Sequence, residues 1–109
     1  MVVLSPARRV ADFDDIEKAG DYCGPRPVLV KGKEITGVWF LLPTHQGDLY
    51  NHGCEGCGLH HITSPPWTFR ECADGSLEIR ASILAGRTDE RPEGYWHGYL
   101  DEGNVWRQL

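Results

Sequence analysis

Apolar and polar residues alternate along much of this chain with the period of a β-strand. The clearest run is Leu77, Ile79, Ala81 and Ile83, interleaved with Glu78, Arg80 and Ser82. Successive side chains of a strand point to opposite faces, so this run predicts one buried face carrying Ala81 and one polar face carrying Ser82. Ile35–Leu42 predicts a second strand, β-branched and aromatic at its start and stopped by Pro43. Shorter strands are predicted over Pro27–Lys31, Leu59–Thr63 and Trp67–Cys72. Tyr95–Leu100 and Val105–Leu109 read as a final hairpin. The breaks between them carry turn residues: Lys31-Gly32-Lys33, Ser64-Pro65-Pro66, Ala73-Asp74-Gly75-Ser76 and Asp101-Glu102-Gly103-Asn104. Residues 44–58 and 85–94 read as longer loops.

The N-terminus alone suggests a helix. Ser5 is a capping residue, Pro6 suits the first helical position, and Gly20 suits the end. Val10, Phe13 and Ile16 recur at a helical spacing between them. A strand through Arg9–Phe13 also fits these residues. The expected fold is therefore mostly β, α+β at most: a small antiparallel sheet or sandwich with a metal knuckle and a short N-terminal helix. The helix and first strand occupy residues 1–36 and the β domain proper residues 37–109, within one compact domain.

Length and charge narrow the picture. A chain of 109 residues buries only about two-thirds of the surface it exposes when unfolded, so a metal staple would help it. The formal net charge is -5, from 16 acidic and 11 basic residues. Phosphate backbones recruit clustered Lys and Arg, and the longest basic run here is Arg8-Arg9, so nucleic acid is a disfavoured partner. No apolar stretch approaches the roughly 20 residues that cross a bilayer, and the first residues are too short for a secretory signal. These features predict a cytoplasmic protein with reduced thiols. The default role for Trp39, Trp67, Trp96 and Trp106 is packing, with at least three of them in the core.

Candidate chemistry concentrates in Cys54-Glu55-Gly56-Cys57. Two thiolates at this spacing converge on one tetrahedral ion, and Gly53, Gly56 and Gly58 give the backbone the freedom a knuckle needs. Zinc, Zn2+, is the metal that suits thiolate and imidazole together. The preferred ligands are Cys54, Cys57, His61 and His97, with Cys72 and His60 as substitutes. His60 and His61 would face opposite ways in a strand, so only one of them would bind. His45 reads as an ordinary loop residue and Cys23 as a loosely buried thiol. The C-x-x-C also fits a disulfide or a redox pair, although a redox site would open a helix and the residues after Cys57 read as a strand. Ser82 is a second candidate. A serine nucleophile needs an adjacent base, which His97 could supply, with Asp101 or Glu102 orienting the imidazole. No G-x-S-x-G elbow surrounds it, and a solvated or cross-strand hydrogen-bonded serine fits the same pattern.

Several segments together carry a family resemblance. They are Gly37-Val38-Trp39-Phe40, Cys54–His61, Pro65-Pro66-Trp67-Thr68-Phe69, Leu77–Leu84 and His97–Val105, spanning residues 37–106. In this order they resemble an uncharacterised family of short phage and bacterial zinc-binding domains, some of which carry the misleading label "ammonia monooxygenase". The resemblance implies a compact β domain with zinc held by the C-x-x-C pair and later Cys or His residues. By position it assigns ligand roles to Cys54, Cys57, His61 and His97, and matches Ser82 to a recurrent family serine. Some members lie near ubiquitin-like conjugation genes, which implies peptidase activity. This chain departs from the family at Trp96, where a Cys is usual, and at Arg80-Ala81, where Ser-Pro is usual. The sequence thus leads first to a phage-encoded, zinc-binding module that engages another protein. The alternative is a hydrolase, a peptidase using a zinc-bound water or Ser82 with His97.

Overall fold

The computed structural model describes residues 2–47 and 56–109. Among these, nine strands form two sheets: β1 (Val3–Pro6), β2 (Arg8–Val10), β3 (Asp21–Val30), β4 (Lys33–Phe40), β5 (His60–Ser64), β6 (Thr68–Glu71), β7 (Leu77–Ala85), β8 (Trp96–Asp101) and β9 (Val105–Gln108). One sheet has the order β1-β9-β8-β7-β6 and the other β2-β3-β4-β5. All pairs are antiparallel except β2 with β3. No helix among the described residues is long and apolar enough to cross a membrane.

The turns follow from residues that accept a positive φ. Lys31 and Gly32 take φ of 50° and 77° between the paired residues Val30 and Lys33, the two-residue geometry that matches strand twist. Gly103 and Asn104, at 89° and 57°, close the last hairpin.

The two sheets lie face to face over one core. Leu77, Ile79, Ile83, Ala85, Trp96, Leu100 and Trp106 from the first sheet meet Tyr22, Val38, Phe40 and Ile62 from the second. A smaller cluster of Ile16, Cys23 and Leu41, with Trp39 against it, covers the outer side of the second sheet. Trp96 and Trp106 are fully buried, whereas Trp39 and Trp67 are half-buried and pack on the two clusters.

The predicted N-terminal helix over residues 5–20 is absent. β1 and β2 replace its first half, and a single 3-10 turn at Phe13–Asp15 is all that remains. A narrow stripe of three apolar residues buries little on a helix. As strands, the same segment satisfies its backbone against β9 and β3. Residues 3–36 therefore contribute to both sheets. The carboxylate of buried Asp21 holds the segment that follows: it accepts from Arg8 Nε and Nη2 at 2.9 and 2.6 Å and from the Glu17 and Lys18 amides at 3.1 and 2.9 Å.

Gly98 lies on the inner side of β8, opposite Ile83. A Cβ there would meet the Arg107 carbonyl oxygen at 2.1 Å and the Trp96 ring at 2.8 Å. Gly98→Ala should therefore lower stability by about 2 kcal/mol or more, in the range of overpacked cores. Gly75→Ala, with open space around it but φ at 86°, should cost about 1 kcal/mol. Urea denaturation of both variants checks this; an unchanged midpoint for Gly98→Ala would contradict the close approach.

Candidate functional site

The site forms where β7 departs from regular pairing. Ile79 pairs with Leu100 and Ile83 with Gly98, so β7 uses four residues where β8 uses two. Such a bulge kinks a strand and re-aims its side chains. Residues 80–82 lose their places in the β8 register. Ala81, expected on the buried face, is exposed, and Ser82 is half-buried on the outer face. On β8 the buried residues are Trp96, Gly98 and Leu100, which turns His97, Tyr99 and Asp101 outward. The bulge brings Ser82 Oγ to 3.0 Å from His97 Nε2.

Polar contacts pin the bulge from both sides. On the β6 side, the Trp67 indole N–H donates to the Ser82 carbonyl at 3.2 Å, and the Thr68 hydroxyl donates to the Arg80 carbonyl at 3.0 Å. On the β8 side, Asp101 accepts from Arg80 Nη2 at 2.8 Å and from Arg107 Nε at 2.7 Å. Both guanidiniums lie over the Tyr99 ring, at 4.8 and 4.5 Å from its centre, a cation–π arrangement. Partial burial pushes the Asp101 carboxyl up, but the hydrogen bonds from Arg107 and Arg80 outweigh it, and its pKa falls below the ordinary carboxylate value.

Asp101 is thus engaged by two arginines and does not orient His97. Glu102 lies 3.8 Å from Arg70. Among the described residues, none hydrogen-bonds to His97 Nδ1, so serine and histidine form a dyad without an acidic third member.

Two hollows flank the dyad. A cleft of about 150 Å³ is lined by Pro66, Trp67, Ala81 and Ser82. A larger one of about 490 Å³ lies past the imidazole, where Leu84, Glu93, Tyr95, His97 and Gln108 line it.

The expected zinc ligands are not brought together. His61 pairs with Trp39 on β4 and stacks on its ring at 4.5 Å, on the outer side of the second sheet. His97 is on the outer side of the first sheet. Packed sheets are roughly 10 Å apart, and both lie between the two imidazoles, so one ion cannot bind both. Cys54 lies outside the described residues, and Cys57 is disulfide-bonded, a form in which its sulfur is not a thiolate ligand. The set Cys54, Cys57, His61 and His97 therefore does not fit zinc, and no chemistry at the dyad runs through that ion.

The imidazoles flanking Cys57 are His45 and His60. Buried His45 accepts the Gly58 amide at Nδ1, 3.2 Å away, and His60 Nε2 meets the Gly56 carbonyl at 2.9 Å while its ring stacks on Phe40. His45 is a structural residue here, which its place in a polar loop did not signal.

Cys72 takes part in a different group. Its sulfur and the carboxylates of Asp74 and Glu102 lie within 4.8 Å of one another, so the three could hold a metal ion. Asp74 also accepts from the Ser76 hydroxyl and amide, which lowers its pKa and is ordinary turn chemistry. This group sits at the start of β7, whereas Gly56 lies against Tyr95 near its end, a separation of roughly 20 Å along the strand.

Comparison with protein families, curated proteins and solved structures finds no match to this chain.

The Asp101 clamp has a pH signature. A carboxylate whose folded pKa is depressed adds stability above its unfolded pKa, near 4, and loses it as pH falls through the lower folded value. Asp101→Asn should cost about 1–2 kcal/mol at neutral pH and flatten the stability curve below pH 4. Urea melts from pH 7 to pH 2 check this; parallel curves for the two proteins would contradict the clamp.

Proposed function

We propose that the protein is a serine-dependent hydrolase that cleaves a peptide or ester bond, with Ser82 as nucleophile and His97 as general base. The supporting observation is the 3.0 Å contact between Ser82 Oγ and His97 Nε2, within the range for direct proton transfer. The half-buried dyad opens onto two hollows that can receive the two halves of a substrate.

Ser82 Oγ attacks the carbonyl carbon as its proton passes to Nε2. The tetrahedral intermediate collapses, its bond to the leaving nitrogen or oxygen breaks, and His97 gives the proton to that atom. The acyl group remains on Ser82 as an ester. Water then attacks this ester, loses a proton to Nε2, and frees the carboxylic acid as the proton returns to Oγ. Backbone N–H groups of Ala81 and Ser82, outside both the β8 and the β6 registers, are candidates for stabilising the oxyanion. With no acidic partner for His97 among the described residues, the expected rate is modest beside a full triad.

A fluorophosphonate probe tests this, since Oγ bonds phosphorus and displaces fluoride. One adduct per chain is expected, mapped to Ser82 by mass spectrometry. It should be absent in Ser82→Ala, and its rate of formation should fall about 10²-fold or more in His97→Ala. A folded native protein that does not react, or labelling undiminished in Ser82→Ala, would overturn the reading.

A second reading is a zinc-stapled module that engages another protein. It is favoured by the bonds that tie His45 and His60 to Gly58 and Gly56, the sequence neighbours of Cys57, and it requires that cysteine reduced. Reduced protein equilibrated with zinc and then desalted should hold one zinc per chain, lost in Cys57→Ser. Elemental analysis showing no zinc under those conditions would dismiss it.

A further inference from the structure

The hollows on the two sides of the dyad differ in kind, and this difference bears on the substrate. Resting on the hydrolase reading, we infer that the cleft between Trp67 and Ser82 is the acyl-binding subsite and that it selects a small apolar acyl group.

The direction of the substrate follows from the chemistry. A histidine that takes the serine proton later returns it to the leaving group, so the leaving group departs on the imidazole side. On that side is the larger hollow, where Glu93, Tyr95 and Gln108 offer polar contacts. The acyl portion, bonded to Oγ, must extend the other way. The space there is the cleft of about 150 Å³ lined by Pro66, Trp67, Ala81 and Ser82. Apart from the serine hydroxyl its side chains are apolar, so no charged or strongly polar group would find a partner in it. The cleft is open to solvent on one side, and the space it offers is about that of a benzene-sized group. The matching acyl groups are butyryl, isovaleryl or benzoyl, or a peptide residue with a short apolar side chain before the scissile bond.

Trp67 determines the size limit. It packs against the main core and is fixed by its indole hydrogen bond to the Ser82 carbonyl. That bond joins the cleft wall to the nucleophile's own backbone. Ala81 is exposed on the opposite part of the lining only because the bulge turns it outward.

Hydrolysis of p-nitrophenyl acetate, butyrate, benzoate and dodecanoate tests this on the full chain, with kcat/KM as the readout. Butyrate and benzoate should exceed acetate by about fourfold per added methylene equivalent, and dodecanoate should fall at least tenfold below butyrate. Trp67→Ala should move the preference toward dodecanoate. Ala81→Leu, on an exposed position, should lower the butyrate-to-acetate ratio at least tenfold, which keeps the test open if Trp67→Ala fails to fold. Phosphonate labelling of Ser82 with ester ratios unmoved by Ala81→Leu would refute the acyl cleft and leave the hydrolase reading standing. No reaction of Ser82 with any ester or phosphonate would refute both.

Discussion

Two sheets packed face to face leave each strand residue one of two directions, into the shared core or away from it. That constraint governs the molecule. Leu77, Ile79, Ile83 and Ala85 on β7 and Trp96, Gly98 and Leu100 on β8 are committed inward, so their neighbours must face out. His97 is outward because Trp96 is fully buried beside it. Ser82 is outward for the same reason, but the outward direction alone would not bring it to the imidazole. The two additional residues in β7 do that, and Ala81 is exposed as a consequence.

Charge and aromatic contacts then hold this irregular stretch in one geometry. Asp101 bridges Arg80 of the bulge to Arg107 of β9, and Tyr99 fills the space beneath both guanidiniums. Trp67 reaches the bulge from the opposite edge. A bulge held at both margins keeps the Ser82 hydroxyl within hydrogen-bond distance of the His97 imidazole, the preorganisation that the proposed dyad would require. The residues adjoining Cys57 are held by other means, with His45 and His60 bonded to the glycines on either side of the cysteine in sequence.

Most of the strands were legible because their burial is one-sided. The alternation in Leu77–Ile83, the Lys31-Gly32 turn and the closing hairpin each carry their own local signal. The N-terminus misled because Val10, Phe13 and Ile16 mimic a helical period, while its actual structure depends on pairing with β9 and β3, which no local window contains. The bulge was illegible for a similar reason. Ala81 continues the apolar alternation, and only the register against β8 reveals that it does not continue the buried face. The Ser82–His97 juxtaposition was legible as a cross-strand option. The assignment of His61 and His97 to one ion was not sound, since sequence gives a strand's face but not which sheet it joins. The Ser82–His97 contact favours the serine over the expected zinc ligands, which are divided between the two sheets.

Hydrolysis by Ser82 would depend on His97 being poised to accept its proton. Long-range proton–nitrogen NMR of the imidazole, at a pH where the ring is neutral, reads this most directly. The expected tautomer has the proton on Nδ1 and a bare Nε2 facing the hydroxyl. A proton resident on Nε2, making the histidine a donor to the serine, would contradict it.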